Sequence, residues 1–206
     1  MMKKLLTIVC SALCMLAFTA CGNTAAPAGA PPAASGAQQA QTPPGGHKIL
    51  VAYYSGTGNT KTTAERIAAK LSADLFEIVP SEPYTQADLN YNDENSRVMR
   101  EHNDPSLRHP GLRQAAPDGF AAYDVVFVGY PIWWGEASWV LDDFVTQNDF
   151  TGKTVIPFCT SVSSPLGESA AHLAARAGTG TWRDGMRFRG AASADEVAAW
   201  VSELDL

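Results

Sequence analysis

Short apolar runs alternate with longer amphipathic stretches from residue 48 to the end of the chain. Strands are predicted at Lys48–Tyr53, Asp74–Val79, Tyr123–Tyr130, Thr154–Cys159 and Thr181–Arg189. Tyr123–Tyr130 is apolar on both faces, which suits a central parallel strand, whereas the mixed polarity of Thr181–Arg189 is typical of an edge. Pro157 removes one N–H donor from the ladder of the fourth strand.

Helical periodicity fills most of the gaps between these strands. Helices are predicted at residues 62–72, 136–147, 166–177 and 194–204. Ser193 and Glu196 have the spacing of a capping box at the start of the last helix. Strands that alternate with helices in this way predict an α/β fold with a doubly wound sheet.

The segment Ser81–Pro117 is polar and has weaker periodicity, with a helix expected at about residues 92–102. We interpret it as a surface crossover between the second and third strands. Tyr84 and Tyr91 within it are either ordinary surface residues or part of a site rim.

The first twenty residues have the pattern of an export signal. Lys3 and Lys4 precede the apolar stretch Leu5–Phe18, and Ala17–Cys21 resembles a bacterial lipoprotein signal, which implies lipidation of Cys21. The alternative is an ordinary secretory signal. A membrane-spanning helix is disfavoured, because a mostly apolar stretch of 14 residues falls short of the roughly 20 that a bilayer requires.

The residues that follow contain no charge and no large apolar side chain, so they predict a disordered tether. We therefore divide the chain into a signal peptide at 1–20, a lipidated cysteine with its tether at 21–46, and a folded domain at 47–206. The domain is expected outside the cytoplasm, anchored to a membrane on its periplasmic or outer-surface side.

Charge and cysteine content narrow the partners and the chemistry. Without residues 1–20 the chain has 13 basic and 21 acidic residues, a formal net charge of −8, which argues against nucleic acid as a partner. Cys10 and Cys14 lie in the predicted signal, and Cys21 is the predicted lipid site. Cys159 is left without a disulfide partner and is expected to be a buried thiol.

Three loops that follow predicted strands are rich in small or aromatic residues: Tyr54–Thr60, Pro131–Gly135 and Thr160–Gly167. Ligands of open α/β sheets bind beyond the carboxyl ends of the strands, so we expect these loops to form one site. Its candidate residues are Ser55, Gly56, Thr57, Gly58, Asn59, Thr60, Pro131, Ile132, Trp133, Trp134, Gly135, Thr160, Ser161, Val162, Ser163 and Ser164.

The first loop has the features of a phosphate cradle. It joins a strand to a helix, so that backbone N–H groups and the positive end of the helix dipole point to one place. Ser55, Thr57 and Thr60 add hydroxyl groups. A Gly-Lys-[Ser/Thr] ending is absent, and Lys61 occupies the position of the third glycine of a dinucleotide motif, which disfavours ATP and dinucleotides.

The second loop adds Trp133 and Trp134, whose aromatic faces suit a flat ring. A ligand with a phosphate and a flat ring fits both loops. Tyr54–Thr60 resembles the phosphate loop of flavodoxins, and Gly129–Gly135 with Gly152–Thr160 resembles a bacterial flavodoxin-like family. The resemblance extends over residues 47–206.

This resemblance implies FMN as the cofactor, and a five-stranded parallel sheet of order 2-1-3-4-5 with helices on both faces. It also implies that Ser55 and residues 57–60 hold the phosphate, that Trp133 and Trp134 lie beside the isoalloxazine, and that residues 160–164 contact its other edge. Flavodoxins often place a tyrosine in this third loop. Here the loop has serines and a valine, so one flavin face is expected to be more open.

Three functions remain open at this point. The first is FMN-dependent electron transfer to a redox partner protein or a small-molecule acceptor. The second is an FMN-dependent oxidoreductase that reduces quinones or other small acceptors, although no catalytic acid or base can be named. His47, His102, His109 and His172 lie outside the three loops and are expected at the surface. The third is a non-redox lipoprotein that retains the fold alone.

Overall fold

A computed structural model describes residues 46–206. The predicted signal peptide, Cys21 and almost all of the tether lie outside the described residues. The strands are β1 Ile49–Tyr53, β2 Asp74–Glu77, β3 Val125–Trp133, β4 Glu136–Ala137, β5 Thr154–Thr160, β6 Thr181–Trp182 and β7 Met186–Phe188. The helices are α1 Asn59–Leu71, α2 Arg97–Asn103, α3 Val140–Thr146, α4 Ser169–Ala177 and α5 Ala194–Ser202, with short 3-10 turns at Pro105–Leu107 and Phe120–Ala122.

The main sheet has the order β2-β1-β3-β5-β6, and its strands are parallel. Strand β7 also pairs with β5 in parallel, and β4 forms a short antiparallel hairpin with β3. The fourth predicted strand corresponds to β5, and the fifth corresponds to β6 and β7 together. The predicted order 2-1-3-4-5 is therefore confirmed.

The edge strand differs from its prediction because it is divided into two pieces. Pairing with β5 stops after Trp182 and resumes at Met186, and the interruption lies beside Pro157. A proline has no N–H group to donate to a neighbouring strand, so the ladder cannot continue through this point. Gly185 passes so close that a Cβ there would lie 2.7 Å from the Pro157 carbonyl oxygen.

Helices cover both faces of the sheet, as predicted. Helices α1 and α5 pack on one face, where Ile67 and Trp200 join its apolar core. Helices α3 and α4 pack on the other, where Phe144 and Leu173 are fully or almost fully buried. The capping box of α5 is present, with the Glu196 N–H donating to Ser193 Oγ at 3.1 Å and the Ser193 N–H donating to the Glu196 carboxylate at 2.7 Å.

Two helix boundaries differ from the sequence prediction near the carboxyl ends of the strands. Helix α1 begins at Asn59 rather than residue 62, because the end of the first loop already forms the first helical turn. The predicted helix at 136–147 is wrong in its first part, since β3 continues to Trp133 and turns back through β4 before α3 begins at Val140. None of the helices within residues 46–206 has both the length and the hydropathy needed to cross a bilayer.

Gly129 lies in β3 between Tyr53 of β1 and Phe158 of β5, at the point where these strands approach the loops. A Cβ at this position would lie 2.2 Å from Cζ of the Phe158 ring. Gly129→Ala is therefore expected to destabilise the domain by about 1–3 kcal/mol through overpacking. Urea unfolding followed by circular dichroism measures this change.

Phe158→Leu supplies the control, because it removes part of the ring that the new methyl group would meet. We expect Gly129→Ala to cost less in the Phe158→Leu background than in the wild type, so that the double-mutant cycle shows favourable coupling. Equal costs in the two backgrounds would contradict overpacking against this ring.

Candidate functional site

The three predicted loops meet at the carboxyl ends of β1, β3 and β5 around an open cavity of about 270 Å³. This volume is close to the lower end of the roughly 300–1,000 Å³ typical of ligand sites. The predicted residues that line it are Gly56, Thr57, Asn59, Pro131, Ile132, Trp133, Trp134, Thr160, Ser161 and Val162. The predicted residues that do not line it are Ser55, Gly58, Thr60, Gly135, Ser163 and Ser164.

The first loop presents the uncapped start of α1 to this cavity. Gly58 has a left-handed backbone with φ of 91°, and no side chain forms a cap hydrogen bond at this end of the helix. The Gly58 N–H donates to Ser55 Oγ at 3.1 Å and so closes the loop on itself. Because the first N–H groups of a helix have no partner within it, those of Asn59 and Thr60 are available to an anion.

A buried hydrogen bond connects the first loop to the third. The hydroxyl oxygens of Thr60 and Thr160 are 2.8 Å apart, and both residues are almost completely buried. Thr60 was predicted to offer its hydroxyl to a phosphate, but the structure pairs this group with Thr160. The bond fixes the start of α1 relative to the end of β5.

The second loop is the tip of the β3–β4 hairpin. Trp133 pairs with Glu136, and the two residues between them have positive φ angles, 47° at Trp134 and 83° at Gly135. Positive φ at both central positions is the mark of a type I′ hairpin turn. Glycine adopts this conformation at no steric cost, whereas a tryptophan in it is strained.

Aromatic stacking holds Trp134 in this strained position. Its ring lies on that of His102 from α2, with 4.1 Å between centroids and 10° between planes. Trp139 stacks near it at 6.0 Å and 18°. His102 was expected to be an ordinary surface residue, and the structure instead makes it a direct contact of the second loop.

Trp133 is fixed from behind by the edges of other aromatic rings. Its centroid lies 5.8 Å from that of Tyr54, 5.5 Å from that of Tyr84 and 4.6 Å from that of Trp139, all in T-shaped arrangements. Burial raises the pKa of Tyr54 above its usual range, so its phenol is neutral. The wall that faces the cavity is therefore rigid and apolar.

A buried carboxylate organises the residues behind this wall. Glu101 of α2 accepts hydrogen bonds from Tyr84 Oη at 2.6 Å, from Trp139 Nε1 at 2.8 Å and from Arg97 Nε at 2.7 Å. Burial and the bond to Glu101 raise the pKa of the Tyr84 phenol. Each donor of this network has an acceptor, as buried polar groups require.

Four further residues line the cavity: Leu89, Val98 and Gly190, which were not predicted, and Tyr91, for which a site rim was one of two alternatives. Three of them come from the segment 81–117, which was predicted to be a surface crossover. Tyr91 lines the cavity although 69% of it is exposed, which fits the rim alternative, whereas Tyr84 lies behind the wall. Two features of the sequence could have indicated that the segment 81–117 packs against the domain. One is the presence of isolated apolar residues in a polar segment, and the other is the i,i+4 spacing of Arg97 and Glu101, which allows an ion pair on a helix.

The third loop forms the opposite wall. Its Ser161 N–H donates to the Phe188 carbonyl at 3.1 Å, which attaches the loop to β7. Val162 is 75% exposed at the rim.

Cys159, just before the third loop, is fully buried, as expected. Burial raises the pKa of its thiol to about 12, so the thiol is unreactive at neutral pH.

No charged side chain is among the residues that line the cavity within residues 46–206. An anionic group can therefore be held only by backbone N–H groups, hydroxyls and the dipole of α1. The remaining walls suit a flat, weakly polar ring. This combination of donors and walls fits a ligand that has both a phosphate and a flat ring, as FMN does.

Comparison with known proteins identifies the family. A sequence model described as flavodoxin matches residues 48–204. The chain belongs to the flavodoxin family. A search of curated proteins finds no significant match.

Solved structures agree with this assignment. The chain is 39% identical to a protein from Bacteroides eggerthii that is described as a flavoprotein, and the two structures superpose with a TM-score of 0.69. The match covers 78% of this chain and 99% of the Bacteroides eggerthii chain. A second such protein, from Bacteroides uniformis, is 37% identical with a TM-score of 0.69, over 76% and 98% of the two chains. A Lactobacillus acidophilus flavoprotein in complex with FMN has the same fold, with 21% sequence identity and a TM-score of 0.55. That match covers 68% of this chain and 93% of the Lactobacillus acidophilus chain. Family membership supports FMN as the cofactor of this flavodoxin.

Removing the buried charge behind the tryptophans tests how far the wall depends on it. In Glu101→Gln the new amide N–H₂ faces donors in place of an acceptor, so at least one buried donor loses its partner. We expect a loss of about 2 kcal/mol in the free energy of unfolding and a change in tryptophan emission, measured by urea titration with fluorescence detection.

Glu94→Gln is the matched control, because Glu94 is exposed in the same segment and the substitution changes the net charge equally. It is expected to alter stability by less than about 0.5 kcal/mol. Similar small effects of both substitutions would mean that the Glu101 network does not support the wall.

Proposed function

We propose that this flavodoxin transfers electrons through a bound FMN while an N-terminal lipid tethers it to a membrane outside the cytoplasm. The partner is a redox protein or a small-molecule acceptor. The observation that carries the proposal is the meeting of three loops, one of them with an uncapped helix start, around one cavity that has no charged side chain of residues 46–206 in its lining.

The first loop supports binding of the phosphate. The N–H groups at the start of α1, together with the hydroxyl of Thr57 beside them, provide donors without a basic side chain. Gly58 has nothing within 4 Å of its missing Cβ, so the chain there is open to an approaching ligand. A phosphate held in this way orients the rest of the cofactor toward the tryptophans.

The second and third loops support binding of the flavin ring. Trp133 and Trp134 form one wall and Val162 the rim of the other, and none of the three has a titratable side chain that could exchange a proton with a flavin. FMN supplies one- and two-electron redox chemistry when bound, while the protein binds, orients and shields it. A domain of net negative charge disfavours additional negative charge on the ring.

A second candidate function is reduction of a small neutral acceptor such as a quinone. The exposed Val162, at 75%, stands in the loop where an aromatic cover would close the ring, and the uncharged lining suits an uncharged acceptor. Steady turnover with NAD(P)H and a quinone would favour this enzyme function. Reduction by a protein donor without such turnover favours the electron carrier.

FMN titration of the purified protein, followed by quenching of flavin fluorescence, tests the proposal. We expect tight binding by the wild type and about tenfold weaker binding by Gly58→Ala, because an alanine lets the unliganded loop relax from the left-handed backbone, and restoring that conformation on binding costs roughly 1–2 kcal/mol. Absence of FMN binding by the wild type would refute both redox functions.

Gly152→Ala is the matched control. Gly152 also has a positive φ, 76°, and open space around its missing Cβ, but it precedes β5 at the opposite end of the strand from the cavity. Both substitutions should lower stability similarly, and only Gly58→Ala should weaken FMN binding. An equal loss of affinity in the two variants would mean that general destabilisation, rather than the phosphate loop, is responsible.

The tether is tested at Cys21. Cys21→Ser is expected to move the protein from the membrane fraction to the soluble fraction of bacterial cells and to abolish incorporation of labelled palmitate. Cys14→Ser, within the predicted signal, should change neither result. A Cys21→Ser variant that still sediments with membranes would show that the anchor lies elsewhere.

A further inference from the structure

Arg187 of β7 lies beside Cys159 in the register of the sheet, one strand outward from the strand that carries the third loop. Its guanidinium group makes three hydrogen bonds to that loop. Nε donates to Ser161 Oγ at 2.9 Å, and Nη2 donates to the carbonyl oxygens of Ser161 and Val162 at 3.1 and 3.0 Å. One cation thus connects two peptide groups and one side chain of the loop.

These bonds continue into the rest of the turn. Ser161 Oγ, which accepts from Arg187, donates in turn to the Ser164 carbonyl. Donation by a charged group strengthens such a chain, because each bond polarises the next. The turn 161–164 is thereby closed from its outer side, away from the first and second loops.

The orientation of the two carbonyls has a consequence for the N–H groups next to them. In a trans peptide the C=O and the following N–H point in opposite directions. Because the carbonyls of Ser161 and Val162 point to Arg187, the N–H groups of Val162 and Ser163 point away from it. Neither N–H makes a hydrogen bond within residues 46–206.

We propose that Arg187 is a positioning residue for the flavin: its guanidinium fork fixes the third loop so that the backbone N–H of Val162, a residue that lines the cavity, remains free for an acceptor atom at the edge of the ring. This inference rests on the proposed function. Lysine cannot replace arginine here, since a single ammonium group cannot reproduce a planar fork that reaches three acceptors.

Hydrogen exchange of the apoprotein gives the first test, and it requires no cofactor. In Arg187→Gln and Arg187→Lys, the Ser161 amide, which donates to the Phe188 carbonyl, is expected to exchange at least tenfold faster than in the wild type, since the bonds that close the turn around it are lost. Arg189→Gln is the charge-matched control, because Arg189 is exposed two residues further on. Unchanged exchange in both Arg187 variants would overturn the proposal.

Binding of FMN and riboflavin gives the second test. Both Arg187 variants should weaken the two ligands by the same factor, about tenfold, because the effect is at the ring that they share. Gly58→Ala should weaken FMN alone. A Lys variant that binds like the wild type, or a loss confined to FMN, would overturn the positioning role. A wild type that binds neither flavin would refute the proposed function, while hydrogen exchange would still decide whether Arg187 holds the loop.

Discussion

The hydrogen-bonded ladder of β1, β3 and β5 is the constraint on which the rest of the molecule depends. It aligns Tyr53, Gly129 and Phe158 across three neighbouring strands, so the loops that follow these strands leave the sheet side by side. Gly129 makes this alignment possible, because the Phe158 ring occupies the space of any side chain there. The position of the site is thus decided by backbone pairing and one missing Cβ, before any cofactor contact is considered.

Much of the fold was predictable because its signals are local. Continuous apolar runs marked the central strands, and glycine and serine after a strand marked the first loop. The hairpin at Trp134 was missed because its turn has a tryptophan where the usual pattern has asparagine or glycine. The break in the edge strand and the contribution of Leu89 and Val98 were missed for another reason: each depends on a partner far away in the sequence, which periodicity does not report.

The two sides of the cavity are stabilised by different physics. On one side, a strained hairpin tip is held by stacking on His102, and the rings behind it are fixed by the buried carboxylate of Glu101. On the other, a serine-rich turn with little apolar area is held by the guanidinium of Arg187. In both cases the charged group lies outside the cavity and acts through neutral groups, so the part of the lining that the described residues form carries no charge.

The bond between Thr60 and Thr160 joins positions that are 100 residues apart. Contacts of such long range form late, because the loss of chain entropy on closing a large loop must be offset by the structure in between. The phosphate end and the ring end of the cavity therefore come together only when both Thr60 and Thr160 are available to the folding chain. Under the proposed export of an unfolded chain, FMN is therefore captured only after translocation, as the last step in the maturation of the site.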